Sequence, residues 1–140
     1  MLKYKIVKSF GTAAAALTLA ALVAGNPAFA GGELRLRAEL SAAAGDISGQ
    51  ADFRNRTNKN RRQWSVQVEG LTPGDLYDVV VSGETVGTIV IDGFGIGDQN
   101  FDDNFEAGDD PATQFPANFP NLDGGEMVVV GPLSGTLQPK

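Results

Sequence analysis

Between Trp64 and Glu69 apolar and polar side chains alternate strictly: Trp64, Val66 and Val68 fall on one side of an extended chain, Ser65, Gln67 and Glu69 on the other. A helical period would scatter these residues around a cylinder, so the stretch specifies a half-buried β-strand. It opens a unit running to Asp92. Thr72-Pro73-Gly74-Asp75 supplies proline where a turn needs its fixed φ and glycine where φ must be positive. Leu76 to Val81 is nearly all apolar, which predicts a central strand covered on both faces except at Asp78. Ser82 to Thr85 is the next turn, and Val86 to Ile91 a third strand with Gly87 on the side of Ile89 and Ile91. The expectation is three antiparallel strands joined by two tight turns, with the rest of the chain packed on them.

The same alternation recurs upstream. Leu34, Leu36, Ala38 and Leu40 alternate with Arg35, Arg37 and Glu39, and Ser48 to Arg54 presents Ala51 and Phe53 to one side. Asn55 to Asn60 has no apolar residue and reads as a hairpin tip. Downstream, Gly93, Gly95 and Gly97 allow a bend in which Phe94 and Ile96 have side chains to bury. Asp98 to Glu106 extends again; Phe115-Pro116 and Phe119-Pro120 then exclude helix from a long loop over Asp103 to Gly125. Met127 to Val130 and Leu133 to Leu137 supply the last strands. Seven or eight short strands with frequent turns predict an all-β, antiparallel β-sandwich, with a barrel as the alternative.

Residues 1–30 read as an export signal. Lys3, Lys5 and Lys8 precede an apolar run, Thr12 to Ala24, that is too short to cross a bilayer, and Ala28-Phe29-Ala30 offers a small-x-small cleavage site before Gly31. Residues 31–140 then form a single secreted or periplasmic domain with no transmembrane segment. Cleavage removes three of the 11 basic residues, so 8 face 17 acidic ones and the net charge falls from −6 to −9. That balance argues against nucleic-acid binding, which needs a positive surface. The chain has no Cys and no His. Disulfides, thiol chemistry and the commonest general base and metal ligand are therefore excluded, leaving packing, a metal or partners to stabilise an exported domain.

Charge is also divided along the chain. Arg54, Arg56, Lys59, Arg61 and Arg62 cluster around the hairpin tip, and from Gln63 to Pro139 there is no Lys or Arg. Three uses fit the cluster: a solvated turn that protects strand edges, a dock for acidic residues of the same chain, another copy or another envelope protein, or a site for acidic glycans or lipid headgroups. Within it Asn55-Arg56-Thr57 is a glycosylation sequon by pattern. The acidic counterpart is Asp98, Asn100, Asp102, Asn104 and Glu106 at alternate positions, followed by Asp109. Alternating oxygen ligands suit calcium. Asp103 and Asp109, however, stand where an EF-hand loop needs glycine and a bidentate glutamate, and no helices flank them. The reading that comes first is a strand over Asp98 to Glu106 whose polar side faces water while Phe101 and Phe105 point into the core, with calcium binding second. Trp64 is expected in the core, and Phe115 and Phe119 to cap one end of the sandwich; exposed with Phe94, the two phenylalanines would instead form a ligand patch.

Gly49-Gln50-Ala51-Asp52-Phe53 and the strand ending in Gly70-Leu71 resemble the CHRD family of extracellular β-domains, which carry Gly-x-Ala-x-Phe and then Gly-Leu. The family's His-containing segment has no counterpart here. The resemblance implies an all-β extracellular module and transfers no site residues. Together these readings give a secreted, non-catalytic structural or binding module, with calcium as a possible stabiliser. A glycan-binding domain is the alternative, and a small carboxylate-dependent hydrolase the third reading.

Overall fold

The computed structural model describes residues 32–43, 45–104 and 108–140; the export-signal reading falls outside them. Nine strands account for the fold: β1 (Glu33–Ser41), β2 (Ser48–Arg56), β3 (Arg61–Glu69), β4 (Leu76–Val81), β5 (Glu84–Val90), β6 (Gly97–Asp102), β7 (Met127–Val130), β8 (Leu133–Thr136) and β9 (Gln138–Pro139). All pair antiparallel in one sheet of order β5-β4-β7-β8-β1-β2-β3-β6, with β9 added on β1. The sandwich-or-barrel class expected from the strand pattern holds, and both walls belong to a single sheet that nearly closes. Its end strands meet through side chains: Ile89 and Ile91 occupy the space over Gly97, and Gln99 lies against Gly87.

The interior follows the alternation. Leu34, Leu36, Ala38 and Leu40 from β1, Ala51 and Phe53 from β2, and Trp64, Val66 and Val68 from β3 are buried. The opposite wall contributes Val79, Val81, Ile89, Val128, Val130 and Leu133. Each fully buried large side chain contributes about 1.5–3 kcal/mol, and among the described residues no polar side chain is buried to offset it. Among those residues, too, no helix is long and apolar enough to cross a membrane.

Three expectations need correcting. The stretch from Trp64 to Asp92 is not a three-stranded meander: β3 pairs with β2 and β6, while β4 pairs with β5 and β7. The Thr72–Asp75 turn forms, with Gly74 at φ +88° and the Asp75 N–H donating to the Thr72 carbonyl at 3.2 Å, but it carries the chain across to the other wall. Second, β4 is not covered on both faces; Leu76 and Asp78 are exposed and only Val79 and Val81 are buried. Third, Phe94 is not buried at the glycine-rich bend but 89% exposed. The β4–β5 turn closes tightly through Ser82 and Gly83, both at positive φ. A bulge opposite Val79 and Val80 then changes the alternation of β5, so that Val86 and Ile89, three residues apart, are both buried.

The long loop after β6 closes the end of the barrel next to the β2–β3 hairpin. Phe119 is buried, with its ring centroid 5.4 Å from Trp64 and 6.1 Å from both Phe53 and Phe101; Phe115 packs edge-on at 4.8 Å. The expected phenylalanine cap forms at this end without Phe94.

Candidate functional site

The register of β1, β2, β3 and β6 sets their outward side chains in cross-strand rows. Nearest the β2–β3 hairpin are Glu33, Arg56 and Arg61; next come Arg35, Arg54, Gln63 and Asp102; then Arg37, Asp52, Ser65 and Asn100. The Lys140 ammonium joins this third row at 3.1 Å from Asp52. Beyond it lie Glu39, Gln50, Gln67 and Asp98, and finally Ser41, Ser48 and Glu69. One face of the sheet therefore has a cationic end and an acidic end.

At the cationic end, carboxylates are outnumbered. Glu33 alone accepts from Arg54 and, at 3.0 Å, from Arg35, and lies 3.7 Å from Arg56. Asp52 is shared by Arg37, at 2.9 Å, and Lys140. Arg61 and Asp102 form a two-bond pair at 2.9 and 2.6 Å, the geometry in which a guanidinium binds a carboxylate best. Six cations thus face three carboxylates. Two shallow depressions open between them, one of about 260 Å³ beside Asp52, Arg54, Gln63, Ser65 and Asn100, the other of about 200 Å³ beside Arg35, Arg37, Asp52 and Lys140.

The pairing marks the titration of the carboxylates. Hydrogen bonds from Arg54 and then Arg35 hold Glu33 down to about 2. Burial pushes Asp52 upward, but the bonds from Arg37 and Lys140 outweigh it and leave the group below its ordinary value. The Arg61 bond lowers Asp102. A depressed carboxylate contributes its stability fully above the unfolded pKa and loses it as the pH falls through the folded one. For Glu33 that window runs from 4.5 down to about 2. Urea midpoints taken across it are expected to fall with pH in the wild type and to fall less in Glu33→Gln, which already lacks the carboxylate. Parallel declines would show that the three-arginine cluster does not contribute.

The sequence-derived site residues divide between places. Arg54, Arg56 and Arg61 belong to the face. Arg62 points the other way at the barrel mouth, where it pairs with Asp103 at 2.8 and 3.1 Å and stacks 4.3 Å over the Phe115 ring. Lys59 is exposed in the short 3-10 turn Thr57–Lys59. Acidic residues of the same chain thus engage Arg61 and Arg62 through Asp102 and Asp103, and Arg54 and Arg56 through Glu33. Of the proposed calcium ligands, Asp98, Asn100 and Asp102 lie along the outer side of β6, about 7 Å apart by strand geometry. Asp102 is already engaged by Arg61, by Gln63 and by the Asn104 N–H. Asp109 is exposed in the loop, and Glu106 lies outside the described residues. Among the described residues no three His, Cys, Asp or Glu side chains are gathered so as to hold a metal ion.

Sequence reasoning did not include Glu33, Arg35, Arg37, Asp52 or Lys140 in the site. The first four could have been found: Arg35 and Arg37 sit at alternate positions of one strand, Arg54 and Arg56 at alternate positions of the next, and a hairpin pairing of the two aligns them. No family model matches the chain, and neither does any curated protein.

Proposed function

We propose that this protein is an exported, non-catalytic structural or binding module that docks anionic partners on the arginine end of the β1-β2-β3-β6 face. The observation that carries this reading is the excess of six cations over three carboxylates at one end of this outer face in a chain whose net charge is −6. Guanidiniums suit carboxylate-, sulfate- or phosphate-bearing groups because their planar forks donate two hydrogen bonds at once. Arg35, Arg37, Arg54 and Arg56 lie on a rigid sheet that presets their spacing, while Gln63, Ser65 and Asn100 can meet neighbouring hydroxyls. Trp64 and Phe119 are buried, which disfavours recognition of neutral sugars by aromatic stacking. The chain has no Cys or His to act in turnover, and the paired CHRD-like strands fit an extracellular β-module.

Retention on an immobilised carboxylated polysaccharide tests the reading. The wild type is expected to bind at low salt and to elute as salt rises, whereas Arg35→Ser/Arg37→Ser/Arg54→Ser/Arg56→Ser should lose at least about tenfold in affinity, since each lost charge-assisted contact is worth about 1.5–3 kcal/mol in isolation and less on an exposed face. Equal retention of both proteins, or none at low salt, overturns it. Adding calcium and then chelator in the same assay reads whether the β6 carboxylates take an ion.

A further inference from the structure

We infer that the anionic partner is a second copy of this chain, bound face to face through β1, β2, β3 and β6 about a two-fold axis running across the strands. The inference rests on the reading of this face as an open docking surface and names what docks there. Its basis is the balance of the two ends. The three rows nearest the hairpin carry three more cations than carboxylates, and the two far rows carry Glu39, Asp98 and Glu69 with no cation. Glu39 and Glu69 flank a depression of about 250 Å³ between β1 and β3. A surface that pairs with itself by two-fold symmetry must contain both halves of the match, and this face holds nearly equal and opposite charge at its two ends.

Charge also selects the axis. A two-fold axis along the strands would stack arginine rows on arginine rows. One across them reverses the order, bringing Arg35 of one copy to Glu39 of the other and Arg61 to Glu69; it also sets Asp102, already paired with Arg61, against Asp98, and the mixed third row of Arg37 and Asp52 against its own copy. Strands about 4.8 Å apart, nine residues long in β1, β2 and β3 and six in β6, give each copy a footprint of roughly 500 Å². The dimer therefore falls in the small, transient class of interfaces, below about 1,200 Å² in total, and its attraction is subject to salt screening.

Analytical ultracentrifugation of three proteins tests this. The wild type is expected to rise toward twice its monomer mass with concentration at about 20 mM salt and to stay monomeric at about 0.5 M. Glu39→Lys/Glu69→Lys alters two exposed side chains and leaves the arginine clasp intact; it should be monomeric throughout. Arg35→Glu/Arg61→Glu should also be monomeric alone, and an equimolar mixture of the two variants should regain the dimer. If the second variant does not fold, the first and the salt series still decide. A wild type that stays monomeric at low salt, a Glu39→Lys/Glu69→Lys protein that still dimerises, or growth beyond two copies overturns the inference. A monomeric wild type that still binds the carboxylated polysaccharide overturns the second copy alone, and the anionic docking face stands.

Discussion

Phe119→Ala is expected to cost the fold about 3–5 kcal/mol, a fall of roughly 12 °C or more in melting midpoint for a domain of this size, although residue 119 belongs to no strand. Its ring fills the space among Phe53, Trp64, Phe101 and Phe115, at centroid distances of 4.8 to 6.1 Å. Truncation removes these contacts and opens a void that the surroundings cannot close, because β3 is hydrogen-bonded on both edges and Trp64 cannot follow the gap. Trp64 is the only tryptophan, so its emission reports directly on water entering this end of the barrel. A red shift should accompany the lower midpoint. A loss below about 1 kcal/mol with unchanged emission would mean that the loop lies on the core without completing it.

Gly135→Ala comes next in size, by the opposite mechanism. A Cβ at this position would lie 2.3 Å from the Glu39 carbonyl oxygen and 3.0 Å from its carbon. Those are backbone atoms of β1, which is held by β2 along its whole length, so no rotamer relieves the clash and β8 must retreat. That retreat strains the contact between Ser41 and Ser134 and the burial of Leu133 and Leu137 on either side. Overpacking of this kind costs about 1–3 kcal/mol. Gly93→Ala is the control: nothing lies within 4 Å of its added Cβ and its φ is not positive, so its midpoint should stay within about 0.5 kcal/mol of wild type. Chain entropy favours alanine at both positions, so similar losses in both variants would show that crowding against Glu39 is not the cause.

The strands themselves were legible. Leu34 to Leu40 and Trp64 to Glu69 alternate so cleanly that their buried faces follow from the sequence, and Pro73-Gly74 marks its turn without help. Partner choice was not. β3 meets β6 across 29 to 39 residues, as in the pairing of Trp64 with Phe101, and no local preference encodes which distant strand fills that edge. The apolar run Leu76 to Val81 misleads for a related reason: composition cannot tell a strand covered on both sides from a wall strand with Leu76 exposed. The β5 bulge is silent as well, since Val86 and Ile89 violate a two-residue period only if the period is assumed.

The same distinction governs the site. Each charged cluster stands out in the sequence, but reading the two as separate ends of the molecule depends on the strand order. With β6 beside β3, Asp102 and Asp103 meet Arg61 and Arg62, and what looked like two separate candidates becomes one ion-paired seam. Glu33 and Lys140 are 107 residues apart in the chain, and only the pairing of β1 with β2 and β9 brings them to the arginines.

The ordered rows on this outer face bear on how the sheet finds its alignment. Sliding a strand by one residue turns its apolar side to water and is heavily penalised, whereas a slip of two keeps every leucine and valine inside, and hydrophobic burial barely distinguishes it. The charges do. A two-residue slip of β1 against β2 would take Arg37 from Asp52 and leave it opposite either Gln50 or Arg54, while Glu33 would lose its place beside Arg56. The ion pairs outside the barrel thus act as a vernier, adding to the fit of Ala38 opposite Ala51 in resolving the even-numbered misalignments that burial alone leaves open.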